Sequence, residues 1–171
     1  MSRMILAVQA ALLGVAAALA SPQPAAAQTA ATPYRYNAPA GWVRAMDGDI
    51  ESLTPPTEPT GSVQLMLLAP KPASGDFRSQ FDVERAALES FWGLKASQAT
   101  APQGGQAAAG QYAAWFASYD SDGGPRYMGF MALGTQQQFA LLVFVASSHD
   151  AFNRVAPQAV EVFKSLSVVA R

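Results

Sequence analysis

The sequence contains no cysteine and only one histidine, His149, among its 171 residues. The lack of cysteine excludes disulfide bonds, thiol catalysis and cysteine-ligated metals. It also excludes the lipid anchor of bacterial lipoproteins, which is attached to a cysteine at the cleavage site. A folded domain of this chain must therefore be held together by its hydrophobic core.

Charge is also scarce. Charged residues make up 13% of the chain, about half of the ~25% that is usual in globular proteins. The formal net charge is −1 at pH 7, and neither sign forms a block along the sequence. Nucleic acids and anionic lipid surfaces need a basic patch, so we expect neither as a partner.

The first 27 residues have the pattern of a secretory signal peptide. Arg3 provides the positive charge, Met4–Ala20 is an uncharged apolar run, and Ala25–Ala27 offers small residues to a signal peptidase. The apolar run is shorter than the ~20 residues of a membrane-spanning helix, although retention as an anchor is the alternative. We expect cleavage before Gln28, a periplasmic or secreted protein, and no stable membrane anchor after cleavage.

The rest of the chain reads as a flexible leader over residues 28–33 and a single α+β domain over residues 34–171. Hydrophobic periodicity predicts an antiparallel sheet of about six strands flanked by two main helices, in the order β-β-β-α-β-β-β-α. The predicted strands are 42–46, 50–53, 62–69, 111–119, 126–133 and 139–146. Tyr34-Arg35-Tyr36 is a candidate start of the first strand. The first helix is predicted within residues 77–95, and the second starts after Ser147 or Ser148 and ends at about Ser165. The uncharged segment 96–110 is predicted to be a mobile loop.

Two of the late strands are apolar on both alternating faces. Phe139–Ala146 is almost wholly apolar, and Arg126–Leu133 is apolar on both faces over most of its length. An antiparallel sheet with one wet face alternates apolar and polar residues, so both faces of this sheet need cover. One helix on each face gives an α/β/α sandwich, whereas two helices on one face would leave an apolar patch for a ligand or partner.

The element order carries a family resemblance. The domain opens with Tyr36-Asn37-Ala38-Pro39-Ala40-Gly41-Trp42 and closes with an amphipathic helix that ends in Phe163-Lys164-Ser165-Leu166. This arrangement resembles the PsbP-like superfamily, including bacterial exported proteins of the DcrB type. The resemblance implies an antiparallel sheet sandwiched by helices and a binding or accessory role, and it implies no catalytic activity.

Two short motifs suggest chemistry but have simpler explanations. Ser147-Ser148-His149-Asp150 contains the residue types of a catalytic triad, yet neighbours at a helix start point in different directions, and helix capping accounts for them. Gln103-Gly104-Gly105-Gln106, followed by Gly110, is glycine-rich but lacks the Lys and Ser/Thr of a phosphate-binding loop. We therefore expect no catalytic residue and no cofactor.

Carboxylates occur in two turns and on the first helix. Asp47-Gly48-Asp49-Ile50-Glu51 and Asp120-Ser121-Asp122-Gly123-Gly124 space carboxylates as calcium loops do, but both lack the remaining EF-hand ligands. We interpret them as turns and expect no metal. Glu84 lies on the apolar stripe if the helix begins at Phe77; we favour a start at Asp82, which places Glu84 in the first turn.

The aromatic residues divide into core and surface candidates. Trp42, Trp92 and Trp115 are typical of a core, whereas Tyr112, Tyr119 and Tyr127 are the candidates for a binding surface, because a tyrosine hydroxyl prefers water.

Together these features favour a non-enzymatic exported module that binds a protein or envelope component. The alternative is a periplasmic carrier of a small apolar ligand, which a pocket lined by Phe130, Met131 and Phe144 would favour.

Overall fold

The computed structural model describes residues 33–59, 61–107, 109–120 and 124–169. The predicted signal peptide, and the predicted leader up to residue 32, lie outside these ranges. Neither helix in the described part of the chain is long and apolar enough to cross a membrane. The elements are β1 (Tyr34–Arg35), β2 (Val43–Asp47), β3 (Ile50–Thr54), β4 (Val63–Leu67), β5 (Lys71–Pro72), α1 (Phe77–Phe91), β6 (Ala96–Ala99), β7 (Gln103–Ala107), β8 (Gly110–Tyr119), β9 (Arg126–Gly134), β10 (Gln138–Ala146), α2 (His149–Lys164) and β11 (Ser167–Val168).

The main sheet is antiparallel and has the order β2-β3-β4-β10-β9-β8-β6. Two short strands pair with the same edge of a longer strand as another strand does. Strand β5 pairs with β10 beyond the end of β4, and β7 pairs with β8 beyond the end of β6. Strands β1 and β11 form a separate two-stranded sheet. The predicted α+β class is confirmed, but six strands was too few, since nine of the described strands belong to the main sheet.

Strand β10 lies between β4 and β9 and is buried on both sides, as its sequence predicts. Its residues Ala140, Leu142 and Phe144 belong to the core that contains the buried residues of α2. Its residues Phe139, Leu141 and Val143 belong to a second core, which contains Phe81 of α1. Each face of the sheet therefore carries one helix, which is the predicted sandwich.

The two helices cover their faces unequally. Helix α2 buries Ala151, Val155, Ala159 and Val162, whereas Phe81 is the one buried residue among those of α1. Both helices begin at a side-chain cap: Asp76 accepts a hydrogen bond from Ser79 N at 2.8 Å, and Ser148 accepts one from Ala151 N at 3.2 Å. The lighter cover by α1 leaves an open recess on its side of the sheet.

The segment predicted as a mobile loop is instead largely strand. Residues 96–99 and 103–107 pair with β8 as β6 and β7, and every residue of both strands is exposed. With neither face buried, these strands have no apolar periodicity from which they could be recognised. Their order comes from backbone hydrogen bonds to an open sheet edge, which depend on tertiary structure.

Candidate functional site

The three tyrosines proposed for a binding surface do not share one. Tyr112 and Tyr127 are half-buried on the α2 face, where Tyr112 lies opposite Leu133 and Tyr127 packs beside Phe152. Tyr119 lies on the opposite face and is fully buried. The surface role of Tyr119 was wrong, because its hydroxyl finds a partner inside the protein rather than in water.

That partner belongs to a partly buried polar cluster beneath α1. Tyr119 Oη donates to Glu89 Oε1 at 2.6 Å, and Arg85 Nη1 donates to Glu89 Oε2 at 2.7 Å. The Arg85 guanidinium lies 4.3 Å from the centre of the Trp115 ring. Burial, followed by the hydrogen bond to Glu89, raises the pKa of Tyr119 above its ordinary value. These contacts anchor α1 to β8, and helical spacing of Arg85 and Glu89 was the sequence signal for them.

A second polar cluster, centred on the buried carboxylate of Glu51, lies on the α2 face. Glu51 is 2% exposed, and its Oε1 accepts hydrogen bonds from Tyr36 Oη at 2.5 Å and Arg44 Nε at 2.6 Å. Glu51 Oε2 is buried and has no hydrogen-bond partner among the described residues. Burial raises the pKa of Tyr36, and the hydrogen bond to Glu51 raises it further. This cluster ties the N-terminal segment to the hairpin of β2 and β3.

The triad-like motif forms a helix cap. Ser148 is the N-cap of α2, and Asp150 lies in the first turn, where a negative charge favours the helix dipole. His149 is exposed and contacts Asn153 one turn later, at 3.2 Å from Nδ1 to the amide nitrogen. Capping is therefore the structural role of this motif, as the sequence indicates.

The carboxylates have local roles. Gly48, with φ +58°, and Asp49 form the two-residue turn between β2 and β3, which suits a type II′ hairpin. Asp122 lies outside the described residues. Within the described ranges, no three His, Asp or Glu side chains are grouped to hold a metal ion. The absence of a metal requirement stays a prediction.

Our favoured start of the first helix at Asp82 was wrong. The helix begins at Phe77 because Asp76 caps it, so Glu84 faces the sheet side with a side chain only 19% exposed. Lys71 Nζ lies 2.5 Å from Glu84 Oε2 and neutralises it. Glu84 borders a cavity of about 40 Å³ beside Leu88 and Leu141, which holds little more than a water molecule.

The pocket expected for an apolar carrier does not form. Phe130, Met131 and Phe144 are at most 1% exposed. Phe130 belongs to the core under α1, whereas Met131 and Phe144 belong to the core under α2. Successive residues of a strand point to opposite faces, so Phe130 and Met131 cannot line one pocket.

A larger recess opens on the α1 side, between the start of α1 and the ends of β7, β8 and β9. We call it the amide groove; its volume is about 630 Å³. Its polar lining consists of Asp76, Gln80, Gln106, Gln111, Thr135 and Gln136. Phe77 and Phe139 form its apolar floor, with ring centres 5.8 Å apart.

Glycines let the floor of the amide groove form. A Cβ at Gly134 would lie 2.3 Å from Cδ2 of Phe77, so the Phe77 ring packs directly on the backbone of β9. Gly110 has φ +141°, and a Cβ there would lie 2.1 Å from the Gly134 carbonyl oxygen. Side chains at either position would displace the floor or separate β8 from β9.

Internal hydrogen bonds hold part of the wall in place. Gln80 Oε1 accepts from Ser74 N at 3.0 Å, and Gln80 Nε2 donates to Pro72 O at 3.1 Å. Thr135 Oγ1 accepts from Gln138 N at 3.0 Å, which fixes the turn between β9 and β10. By contrast, the exposed side-chain amides of Gln106, Gln111 and Gln136 form no hydrogen bond within the described part of the chain. They are available to a ligand.

No protein-family model matches the chain, and no curated protein matches it. Solved structures do. Cyanobacterial PsbP (CyanoP) from Synechocystis sp. PCC 6803 superposes with a TM-score of 0.56 at 10% identity, over 86% of this chain and 99% of CyanoP. The chain has the PsbP-like fold.

Two further structures with similar folds come from other bacteria. LpqN of Mycobacterium tuberculosis, described as involved in cell envelope biogenesis, has a TM-score of 0.56 at 11% identity, over 80% of this chain and 83% of LpqN. A protein of Bacteroides thetaiotaomicron VPI-5482 has a TM-score of 0.52 at 12% identity, over 81% of this chain and 46% of its own. At these identities the likeness concerns the PsbP-like fold alone, which confirms the fold that the sequence resemblance implied.

Proposed function

We propose that the protein is an exported, non-enzymatic accessory module that binds a component of the cell envelope through the amide groove. The observation that carries this proposal is the groove itself, which combines a fixed apolar floor with three unengaged side-chain amides. Ligand sites are typically concave and of about 300–1,000 Å³, with a few polar groups that set orientation.

Two further observations support an envelope role. The N-terminal sequence has the features of an export signal, and LpqN, which shares the fold, is described as involved in cell envelope biogenesis. Among the described polar groups that line the groove, a single carboxylate, Asp76, is ionisable, and it caps α1. The groove is thus suited to binding rather than to acid–base chemistry, which needs positioned groups that exchange protons.

Site-specific photocrosslinking in the organism that encodes the protein tests this proposal. A photoreactive residue at Gln136, in the groove, should give a discrete crosslinked species in the envelope fraction. The same residue at Gln98, which is exposed on β6 outside the groove, should not. If both positions give the same products, or if neither gives any, the groove is not the contact site and the proposal fails.

A further inference from the structure

We infer that the ligand of the amide groove is an uncharged, polyhydroxylated molecule, namely a neutral glycan segment. This inference rests on the proposed function and names the class of envelope component that the groove takes. It is drawn from the charge, the hydrogen-bonding groups and the floor of the groove.

The charge of the groove argues against ionic ligands. None of the described residues that line it is Lys or Arg, so an anionic ligand would lose hydration without gaining a counter-charge. Arg78 of α1 lies near Gly104 of β7 but does not line the groove, and its guanidinium is paired with Asp82 at 3.4 Å and lies over the Phe81 ring. Among the described lining residues, a cationic ligand would find one carboxylate, Asp76, which already accepts a hydrogen bond from Ser79 N.

The hydrogen-bonding groups of the groove match hydroxyls. A glutamine amide has two donor hydrogens and a carbonyl acceptor, and a sugar hydroxyl likewise both donates and accepts. Gln106 and Gln111 lie directly opposite each other on β7 and β8, so their amides project from the same face of the sheet. Gln136 faces them from the turn after β9. An apolar ligand would leave these amides unpaired, which costs binding free energy.

The floor provides the apolar contact that a glycan also needs. The face of an aromatic ring is electronegative, and the C–H groups on one face of a sugar ring carry partial positive charge. Phe77 is half-buried above the almost fully buried Phe139, so its exposed portion can receive the sugar face. Because Gly134 and the Gln80 hydrogen bonds fix this region, little ordering remains to oppose binding.

Isothermal titration calorimetry with defined oligosaccharides tests the inference. The probes are maltohexaose, cellohexaose and the hexamer of N-acetylglucosamine as neutral glycans, with hexagalacturonate as the charged counterpart. We expect saturable binding of at least one neutral probe and much weaker binding of hexagalacturonate. The double variant Gln111→Ala/Gln136→Ala should weaken that binding by about tenfold or more, since it removes two hydrogen-bonding groups.

Gln137→Ala is the matched control, because Gln137 is an exposed glutamine in the same turn but does not line the groove. It should bind as the native protein does. All three changed residues are exposed, and unchanged melting temperatures will verify folding. The inference is overturned if no neutral probe binds at ~10 mM, if hexagalacturonate binds equally well, or if the double variant binds unchanged. A protein crosslinked from Gln136 but not from Gln98, together with any of these results, would refute the glycan and leave the proposed function standing.

Discussion

Three buried or half-buried tyrosines make the stability of the fold depend on pH. Burial is the main cause that raises the pKa of Tyr34, Tyr36 and Tyr119, and the carboxylates of Glu51 and Glu89 add to it. In the unfolded chain a tyrosine loses its proton near its ordinary pKa of about 10. The folded protein therefore retains these protons at a pH where the unfolded chain has released them.

The sign of the pH dependence follows. Below about pH 10 these tyrosines contribute no slope to the free energy of unfolding, and above it the folded state becomes progressively less favoured. We expect the melting temperature to fall steeply above about pH 10. A series of melting curves from pH 7 upward measures this pH dependence of the melting temperature. Tyr119→Phe should lower the starting stability and flatten the alkaline decline; an unchanged slope in that variant would contradict the linkage.

At β10, individual residues report on each face of the sheet separately. Phe144 and Leu142 face α2, Leu141 faces α1, and all three are at most 5% exposed. We expect Phe144→Ala, Leu142→Ala and Leu141→Ala each to lower the free energy of unfolding by about 2–5 kcal/mol, through lost burial and a residual cavity. Denaturant unfolding measures this. A nearly neutral Leu141→Ala beside a severe Phe144→Ala would mean that the α1 face is open.

The strands and helices differ in how much of their surface is buried: the central strands are deeply buried, and the edge strands are exposed. Strands β9 and β10 are buried over most of their length, whereas β6 and β7 are exposed throughout. Helix α1 buries one residue and α2 buries four. Local opening is easiest where little apolar surface is buried, so the elements should differ in their opening free energies.

Amide hydrogen exchange should reveal this order. We expect the fastest exchange in β6 and β7, intermediate exchange in α1, and the slowest exchange in β9, β10 and α2. Exchange followed by mass spectrometry or NMR provides the measurement. If α1 proves as protected as α2, its polar contacts through Arg85 and Glu89 hold it more firmly than its small buried area indicates.

At the scale of the whole molecule, export remains a prediction from the N-terminal sequence. We expect the protein in the envelope fraction to begin at Gln28, because Ala25–Ala27 offers the small residues that signal peptidase accepts. Intact-mass measurement of protein isolated from its own organism determines the first residue. Envelope material that still begins at Met1 would instead indicate a retained anchor.

The elements whose burial produces a regular apolar pattern were predictable from the residues alone. The two-faced strands predicted at Arg126–Leu133 and Phe139–Ala146, the amphipathic helix after Ser147 or Ser148, and the sandwich that they require all follow from apolar patterns. The capping role of Ser148 follows from local chemistry, since a cap needs only neighbouring residues.

Other elements and contacts depend on residues that are far apart in the sequence, and only the folded chain shows them. Strands β6 and β7 exist because β8 offers an open edge, and Tyr119 is buried because Glu89 of α1 receives its hydroxyl. The amide groove likewise assembles Gln80, Gln111 and Gln136 from separate elements. Hydrogen bonds between remote segments leave no periodicity in the sequence, so Gln106 and Gly110, which lie in the segment predicted as a mobile loop, line the candidate site.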